Sequence, residues 1–212
     1  MKKLFLFLIG TAICTLSLCA QKKLTPREIL DKTSLIMQSS EGISANFTTT
    51  SFQGTTPQES LSGTLDICAD KYLMKTDAVC TWYNGKDQWT LLSDNNEVSL
   101  VSPTPEELQA SSPMAFLNIY QQGFNLSAQT DMLRGRKIWN VTLKPHKRKQ
   151  EPSTIVVSID QETFLPLCLR IRHDGNWLRI SITDTKTGIK YPDSHFTFPA
   201  NDYPGYDIID MR

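Results

Sequence analysis

The chain has 212 residues, 40% of them hydrophobic, and its 22 lysines and arginines balance 22 aspartates and glutamates. This length is enough for one domain with a sizeable core. The absence of a basic excess excludes the charge pattern of a nucleic-acid-binding protein. Beyond the first twenty residues, no apolar run of the sequence is long enough to cross a membrane.

The N-terminal segment MKKLFLFLIGTAICTLSLCA has the pattern of a secretory signal peptide. Lys2 and Lys3 precede an apolar run over residues 4–18, and the small residue Ala20 follows. We expect residues 1–20 to be cleaved after Ala20 and residues 21–212 to form a single domain. Cleavage removes two lysines and no acidic residue, so the mature chain has 20 basic against 22 acidic residues, a net charge of −2.

Cys19 leaves a second interpretation of this segment open, in which the cysteine is acylated and anchors the protein to a membrane. Leu18 argues against it, because the residue before such a cysteine is normally small. Soluble export is therefore the first expectation.

The mature chain is predicted to begin with one amphipathic helix. Thr25 and Glu28 form a capping box, with Pro26 at the first helical position. Gly42 ends the pattern. The apolar stripe of this helix is predicted at Ile29, Leu30, Thr33, Ile36 and Met37.

Short alternating segments joined by turn signals dominate the rest of the sequence, which predicts about eleven antiparallel strands. Asn84-Gly85 predicts a two-residue hairpin turn. A second capping box at Thr104 and Glu107, and then Ser112-Pro113, predict a helical insertion. The predicted strands are 43–52, 62–68, 71–76, 78–83, 88–93, 97–102, 137–143, 153–160, 165–172, 177–184, 195–198 and 206–211.

No pattern of catalytic or metal-binding residues is present in the sequence. His173-Asp174 is predicted to lie at an exposed hairpin tip, and the spacing of Cys68, Cys80 and Cys168 fits no zinc site. We therefore expect no enzyme activity, metal or cofactor. A disulfide between Cys68 and Cys80 stays open. The basic run KPHKRK (144–149) fits either a solvated loop tip or a docking patch for an acidic partner or anionic headgroups.

Five segments, in order along the mature chain, resemble the LolA family of periplasmic carriers of outer-membrane lipoproteins. GISANFTTTSF is similar to the first strand of that family, and SGTLDICADKYLMKTD to its next hairpin. WYNGKDQW resembles a D-G-K-x-x-W-x-Y hairpin, and SSPMAFL an N-x-P-x-x-L lid segment. The ending HFTFPANDYPGYDIIDMR resembles a terminal F-x-F-x-x-P…V-x-D-x-R pattern.

The resemblance implies a mainly β fold with some α: an open, incomplete antiparallel barrel with an N-terminal helix and a helical lid over the concave face. It implies a periplasmic, monomeric carrier that binds lipoprotein acyl chains, receives them from an inner-membrane transporter and passes them to an outer-membrane acceptor. Candidate lid residues are Met114, Phe116, Leu117 and Tyr120. Candidate cavity residues are Phe47, Leu65, Ile67, Tyr72, Met74, Trp89, Leu91, Ile155, Val157, Leu169 and Ile180.

One departure from the family pattern concerns the latch of the lid. The family's R-P-x-x-F, whose arginine holds the lid closed, reads Cys68, Ala69 and Tyr72 at the matching positions. The aromatic residue is kept and the arginine is absent, so the mode of closure stays open. Two alternative functions also stay open: a carrier or sensor of another lipid or glycolipid, and an outer-membrane acceptor acylated at Cys19.

Overall fold

The computed structural model describes residues 23–94, 96–112, 119–121, 123–147 and 150–212. The described helices are α1 (Pro26–Ser39) and α2 (Pro105–Ser111), with 3₁₀ helices at Asp193–Phe196 and Ala200–Asp202. The described strands are β1 (Ile43–Gln53), β2 (Thr56–Cys68), β3 (Lys71–Thr76), β4 (Val79–Tyr83), β5 (Gln88–Leu92), β6 (Glu97–Val101), β7 (Phe124–Leu133), β8 (Arg136–Pro145), β9 (Thr154–Asp160), β10 (Pro166–His173), β11 (Asn176–Thr187) and β12 (Asp207–Asp210).

Helix α1 begins as its capping box predicts. The Thr25 hydroxyl accepts a hydrogen bond from the Glu28 backbone N–H at 3.2 Å, and the Glu28 carboxylate accepts one from the Thr25 N–H at 2.7 Å. These bonds satisfy backbone donors that no helical carbonyl can reach. Four residues of the predicted stripe are buried and Ile36 is half-buried; the buried ones are Ile29, Leu30, Thr33 and Met37.

The twelve described strands form one open sheet in the order β12-β6-β5-β4-β3-β2-β1-β11-β10-β9-β8-β7. All neighbouring pairs are antiparallel except β12 and β6, which are parallel. The prediction of a mainly β, antiparallel-dominant sheet is confirmed. Strand β7 was not predicted, because it is an edge strand whose mostly exposed side chains give little apolar alternation.

Two local predictions were wrong. Residues 195–198 were predicted as a strand, but Asp193–Phe196 is a 3₁₀ helix. The turn at Asn84-Gly85 has four residues, since Tyr83 pairs with Gln88. The Asn84 side chain accepts hydrogen bonds from the N–H groups of Lys86 and Asp87 at 3.0 and 2.8 Å, so this asparagine stabilises a wider turn.

The sheet has two faces with different coverings. We call the face of Phe47, Leu65 and Ile180 the inner face, and that of Trp82 and Arg179 the outer face. Helix α1 packs on the inner face over β7–β10. The C-terminal segment 191–206 packs on the outer face over β3–β6, where its buried phenylalanines Phe196 and Phe198 join the core.

The three cysteines in the described part of the chain are free thiols. Cys80 and Cys168 are buried and Cys68 is half-buried. The Cys68–Cys80 pairing left open by the sequence therefore does not occur in this structure.

Candidate functional site

A cavity of about 740 Å³ lies on the inner face, between the sheet and the segments that cover it. Its walls come from β1, β2, β3, β9, β10 and β11, and its cover includes Met37 of α1 and Ile119. Sixteen of the twenty described lining residues are apolar: Met37, Ile43, Ala45, Phe47, Leu65, Ile67, Met74, Ile119, Pro152, Ile155, Pro166, Leu169, Ile171, Leu178, Ile180 and Ile182. The others are Thr49, Ser112, Glu151 and Thr185.

Strand register explains why this lining is continuous. Phe47 of β1 pairs with Ile182 of β11, and Leu169 of β10 pairs with Ile180, so apolar side chains stand side by side across the sheet. Residues two apart on one strand point to the same face, which extends the apolar surface along each strand. The ring of Phe47 lies against Gly63 of β2, where an added methyl group would meet the ring and the Lys75 carbonyl.

Seven of the eleven candidate cavity residues line this cavity: Phe47, Leu65, Ile67, Met74, Ile155, Leu169 and Ile180. Tyr72 and Val157 lie on the same inner face but are covered by other side chains. Tyr72 packs with Met37 and donates a hydrogen bond to Gln88 Oε1 at 2.8 Å. Val157 is buried in the cluster that includes Ile29 of α1.

Trp89 and Leu91 lie on the outer face, not in the cavity. Trp89 pairs with Trp82, and Leu91 pairs with Cys80, whose side chains point away from the cavity. Both residues pack in the cluster that the C-terminal segment closes with Phe196. Trp82, Trp89 and Leu91 of the β4–β5 hairpin therefore pack in the cluster that segment 191–206 completes.

Several lining residues were not among the candidates. Ile171, Leu178 and Ile182 belong to strands whose alternation was recognised, so their signal was available in the sequence. Ile43 and Ala45 could also have been found, because they precede the candidate Phe47 at intervals of two on β1 and therefore lie on its face.

The candidate lid is only partly described. Met114, Phe116 and Leu117 lie outside the described residues. Tyr120 is buried beside α1 and donates a hydrogen bond to the Asp31 carboxylate at 2.7 Å. Burial, followed by this hydrogen bond to an anion, raises the pKa of Tyr120 to about 12.

Cys68, at the position of the family arginine, contacts no lid residue among those described. Its thiol lies 3.1 Å from the Glu41 carbonyl, to which it donates a hydrogen bond, and it packs against the outer-face cluster. The adjacent Ala69 has φ of 55°, as a turn residue. This position belongs to the β2–β3 turn and the outer face.

The cavity offers little polar chemistry. Among the described lining residues, Glu151 is the one that is ionisable, and its carboxylate lies 3.4 Å from Nδ1 of the exposed His173. Among the residues that the structure describes, no three His, Cys, Asp or Glu side chains are grouped as metal ligands. None of the described helices is both long and apolar enough to span a membrane.

Residues 16–175 match the family described as outer membrane lipoprotein carrier protein LolA. A comparison with curated protein sequences found no match. An uncharacterized conserved protein from Thermus thermophilus has a similar fold, with a TM-score of 0.60 at 12% identity over 87% of this chain and 98% of that one.

Two further solved structures align over most of the chain with lower scores. A LolA superfamily protein from Nitrosomonas europaea aligns with a TM-score of 0.43 at 11% identity, over 84% of this chain and 99% of that one. LprF from Mycobacterium bovis aligns with a TM-score of 0.47 at 13% identity, over 82% and 96%.

Proposed function

The chain belongs to the LolA family of outer membrane lipoprotein carrier proteins, and from that premise we propose that it carries lipoprotein acyl chains in the cavity of the inner face. The observation that carries the proposal is a cavity of about 740 Å³ whose described lining is mostly apolar, with Glu151 as its one ionisable residue among those described. This volume lies within the range of ligand-binding cavities. Such a lining supplies hydrophobic contacts and no reactive group.

The cost of exposing an acyl chain to water determines how much binding free energy the cavity of such a carrier must provide. Each buried methylene is worth about 0.8 kcal/mol, so one long chain favours an apolar site over water by on the order of 10 kcal/mol. Met37 of α1 and Met74 of β3 both line the cavity, and their flexible thioether side chains adapt to irregular ligands. Without directional polar contacts, a chain can slide in and out along this surface.

The carrier in this proposal works between two membranes. Cleavage after Ala20 releases residues 21–212 into the periplasm as a monomer. An inner-membrane lipoprotein-releasing transporter delivers the acyl chains, and an outer-membrane acceptor removes them. Helix α1 and Ile119 cover part of the cavity and must move, and the hydrogen bond to Asp31 holds Tyr120, the residue after Ile119, to α1.

A release assay tests this function. Spheroplasts that carry the native transporter and make radiolabelled lipoprotein are incubated with the purified mature protein, and the soluble fraction is immunoprecipitated with an antibody to this protein. We expect soluble lipoprotein in complex with it. If the transporter is present and no lipoprotein is released, the proposal fails, and mass spectrometry of the purified protein then identifies another lipid in the cavity.

Matched variants locate the binding surface. Ile180→Glu places a carboxylate against the acyl chain and should abolish release, because an unpaired charge is costly in an apolar site. Leu35→Glu is the control, since Leu35 is 65% exposed on the outer side of α1. Equal loss in both variants would contradict binding in this cavity. Radioactive fatty-acid labelling tests the alternative of an acceptor acylated at Cys19.

A further inference from the structure

Three arginines lie together on the outer face of β10 and β11. Arg170 and Arg179 are direct cross-strand partners, and Arg172 lies two residues from Arg170 on the same face. All three side chains are exposed. Like charges directly opposite each other on a sheet are destabilising, so this fold keeps an arrangement that lowers its stability.

Two aromatic rings flank these arginines. The guanidinium of Arg179 lies 4.9 Å from the ring centroid of Phe52, and that of Arg172 lies 5.9 Å from the ring of Trp177. Phe52 and Trp177 are themselves cross-strand partners at the ends of β1 and β11. We call these five residues the arginine patch.

No carboxylate among the described residues neutralises the patch. Within the described ranges, none of the three guanidinium groups has an Asp or Glu at ion-pair distance. Their cross-strand neighbours outside the patch are Val156, Thr154 and Thr50. Because the mature chain is acidic overall, the positive potential here is a local feature of this face.

The patch lies across the sheet from one end of the cavity, on the opposite face. Ile171 and Leu178 line the cavity, pair with each other and alternate along β10 and β11 with the patch residues. The loop between β8 and β9 contacts β10 near the patch, because the Ser153 N–H donates a hydrogen bond to the Arg172 carbonyl. The same loop carries the exposed Lys147 of the basic run.

We infer that the arginine patch docks the protein on the surface of an anionic phospholipid bilayer. Arginines attract the negative surface, and a tryptophan ring is suited to the boundary between headgroups and acyl chains. The inference rests on the proposed function, because docking holds the strands that line this end of the cavity at the membrane from which acyl chains enter or into which they leave.

Vesicle binding tests the inference. The mature protein is sedimented with vesicles of phosphatidylcholine alone and of phosphatidylcholine mixed with phosphatidylglycerol. We expect preferential binding to the mixed vesicles that weakens as salt is added. Each basic residue near an anionic surface contributes about fivefold in partitioning, so Arg170→Gln, Arg172→Gln and Arg179→Gln together should reduce binding on the order of a hundredfold.

Two further triple variants separate the patch from net charge and from folding. Lys75→Gln, Lys137→Gln and Lys186→Gln remove the same charge from exposed positions outside the patch and should leave most binding intact. Replacing the three patch arginines by lysine keeps the charge and should preserve most of the binding.

The inference is overturned if the unmodified protein does not distinguish the two vesicles, or if the control triple loses as much binding as the patch triple. It is also overturned if the lysine triple loses binding as fully as the glutamine triple, because a membrane surface responds to charge and a discrete protein site requires guanidinium geometry. Uptake of a fluorescent acyl probe is measured separately. If the unmodified protein does not take up the acyl probe, the proposed function is contradicted. Vesicle binding tests only the arginine patch.

Discussion

Asp160 organises the turn between β9 and β10, and replacing it with asparagine should destabilise the protein substantially. Its Oδ1 accepts three hydrogen bonds, from the Glu162 N–H, the Thr163 N–H and the Thr163 hydroxyl, at 3.1, 2.7 and 2.8 Å. Its Oδ2 lies 3.0 Å from Nε of Arg136. The Asp160 side chain is only 3% exposed, so water cannot replace these partners.

The structure sets the size of the expected effect. Asparagine keeps an acceptor at Oδ1, but the three bonds lose the assistance of the negative charge, and an amide NH₂ then faces the Arg136 donor. Hydrogen bonds to charged groups contribute roughly 1 kcal/mol more than neutral ones, so Asp160→Asn should lower the free energy of unfolding by about 2–4 kcal/mol. Arg136→Gln should cost about 1 kcal/mol or less, because that side chain is half exposed.

The pH dependence gives a sharper test. Burial alone would raise the pKa of Asp160, but the hydrogen bonds from Thr163 and Glu162 and the charge of Arg136 lower it below its ordinary value. A carboxyl with a lowered pKa in the folded state stabilises the protein above its unfolded pKa of about 3.9, and this stabilisation is lost as the pH falls through the folded value. Urea denaturation should therefore show a full difference between the two proteins at about pH 7 that narrows below about pH 4. A difference under about 0.5 kcal/mol near neutral pH, or one that widens in acid, would refute this reasoning.

Three further predictions concern the outer face, the first helix and the thiols. Phe196→Ala should lower the free energy of unfolding by about 3–5 kcal/mol, because Phe196 is only 1% exposed. Leu35→Ala, at a residue that is 65% exposed, should change it by about 0.5 kcal/mol or less. Similar losses of unfolding free energy in the two variants, measured by urea denaturation, would contradict the packing of Phe196 in the outer-face cluster. Thr25→Ala should cost about 1 kcal/mol and Thr25→Ser should restore it, and an alanine variant as stable as the parent would exclude a role for the capping box. Alkylation of the folded protein should modify the half-buried Cys68 well before the buried Cys80, because burial raises the pKa of the Cys80 thiol to about 11, although the charge of Lys75 opposes the rise. Mass spectrometry of digests gives the order of modification, and early modification of Cys80 would contradict this prediction.

The sequence predicted the elements whose signals are local. The capping boxes at Thr25 and Thr104 are both present. The hairpin tip at Asp174-Gly175 joins the paired residues His173 and Asn176, and both turn residues have positive φ, as such a two-residue turn requires.

The features that the sequence did not predict, namely which face of a strand is inner and which strands pair, depend on distant partners. The alternation of β5 shows that Trp89 and Leu91 share a face, but both faces of this half of the sheet are covered, so alternation does not tell which face is inner. That choice is made by the C-terminal segment, about a hundred residues later in the chain, when Phe196 packs on Leu91 and its neighbours. Strand β12 was predicted at 206–211, but its parallel pairing with β6 was not, because that pairing has no local signature.

The position of the β1–β11 pair at the centre of the sheet has a kinetic consequence. Strands β2–β6 can form by successive hairpins, and β7–β10 can do the same, but Phe47 and Ile182 must close a very long loop before the two halves join. Contacts so distant in sequence slow folding. The cavity draws its walls from both halves, so it comes into existence only when this late pairing forms. Partly folded chains would have either half of the sheet without a cavity, and the ability to bind a hydrophobic ligand should therefore appear in a refolding experiment together with the last step of folding.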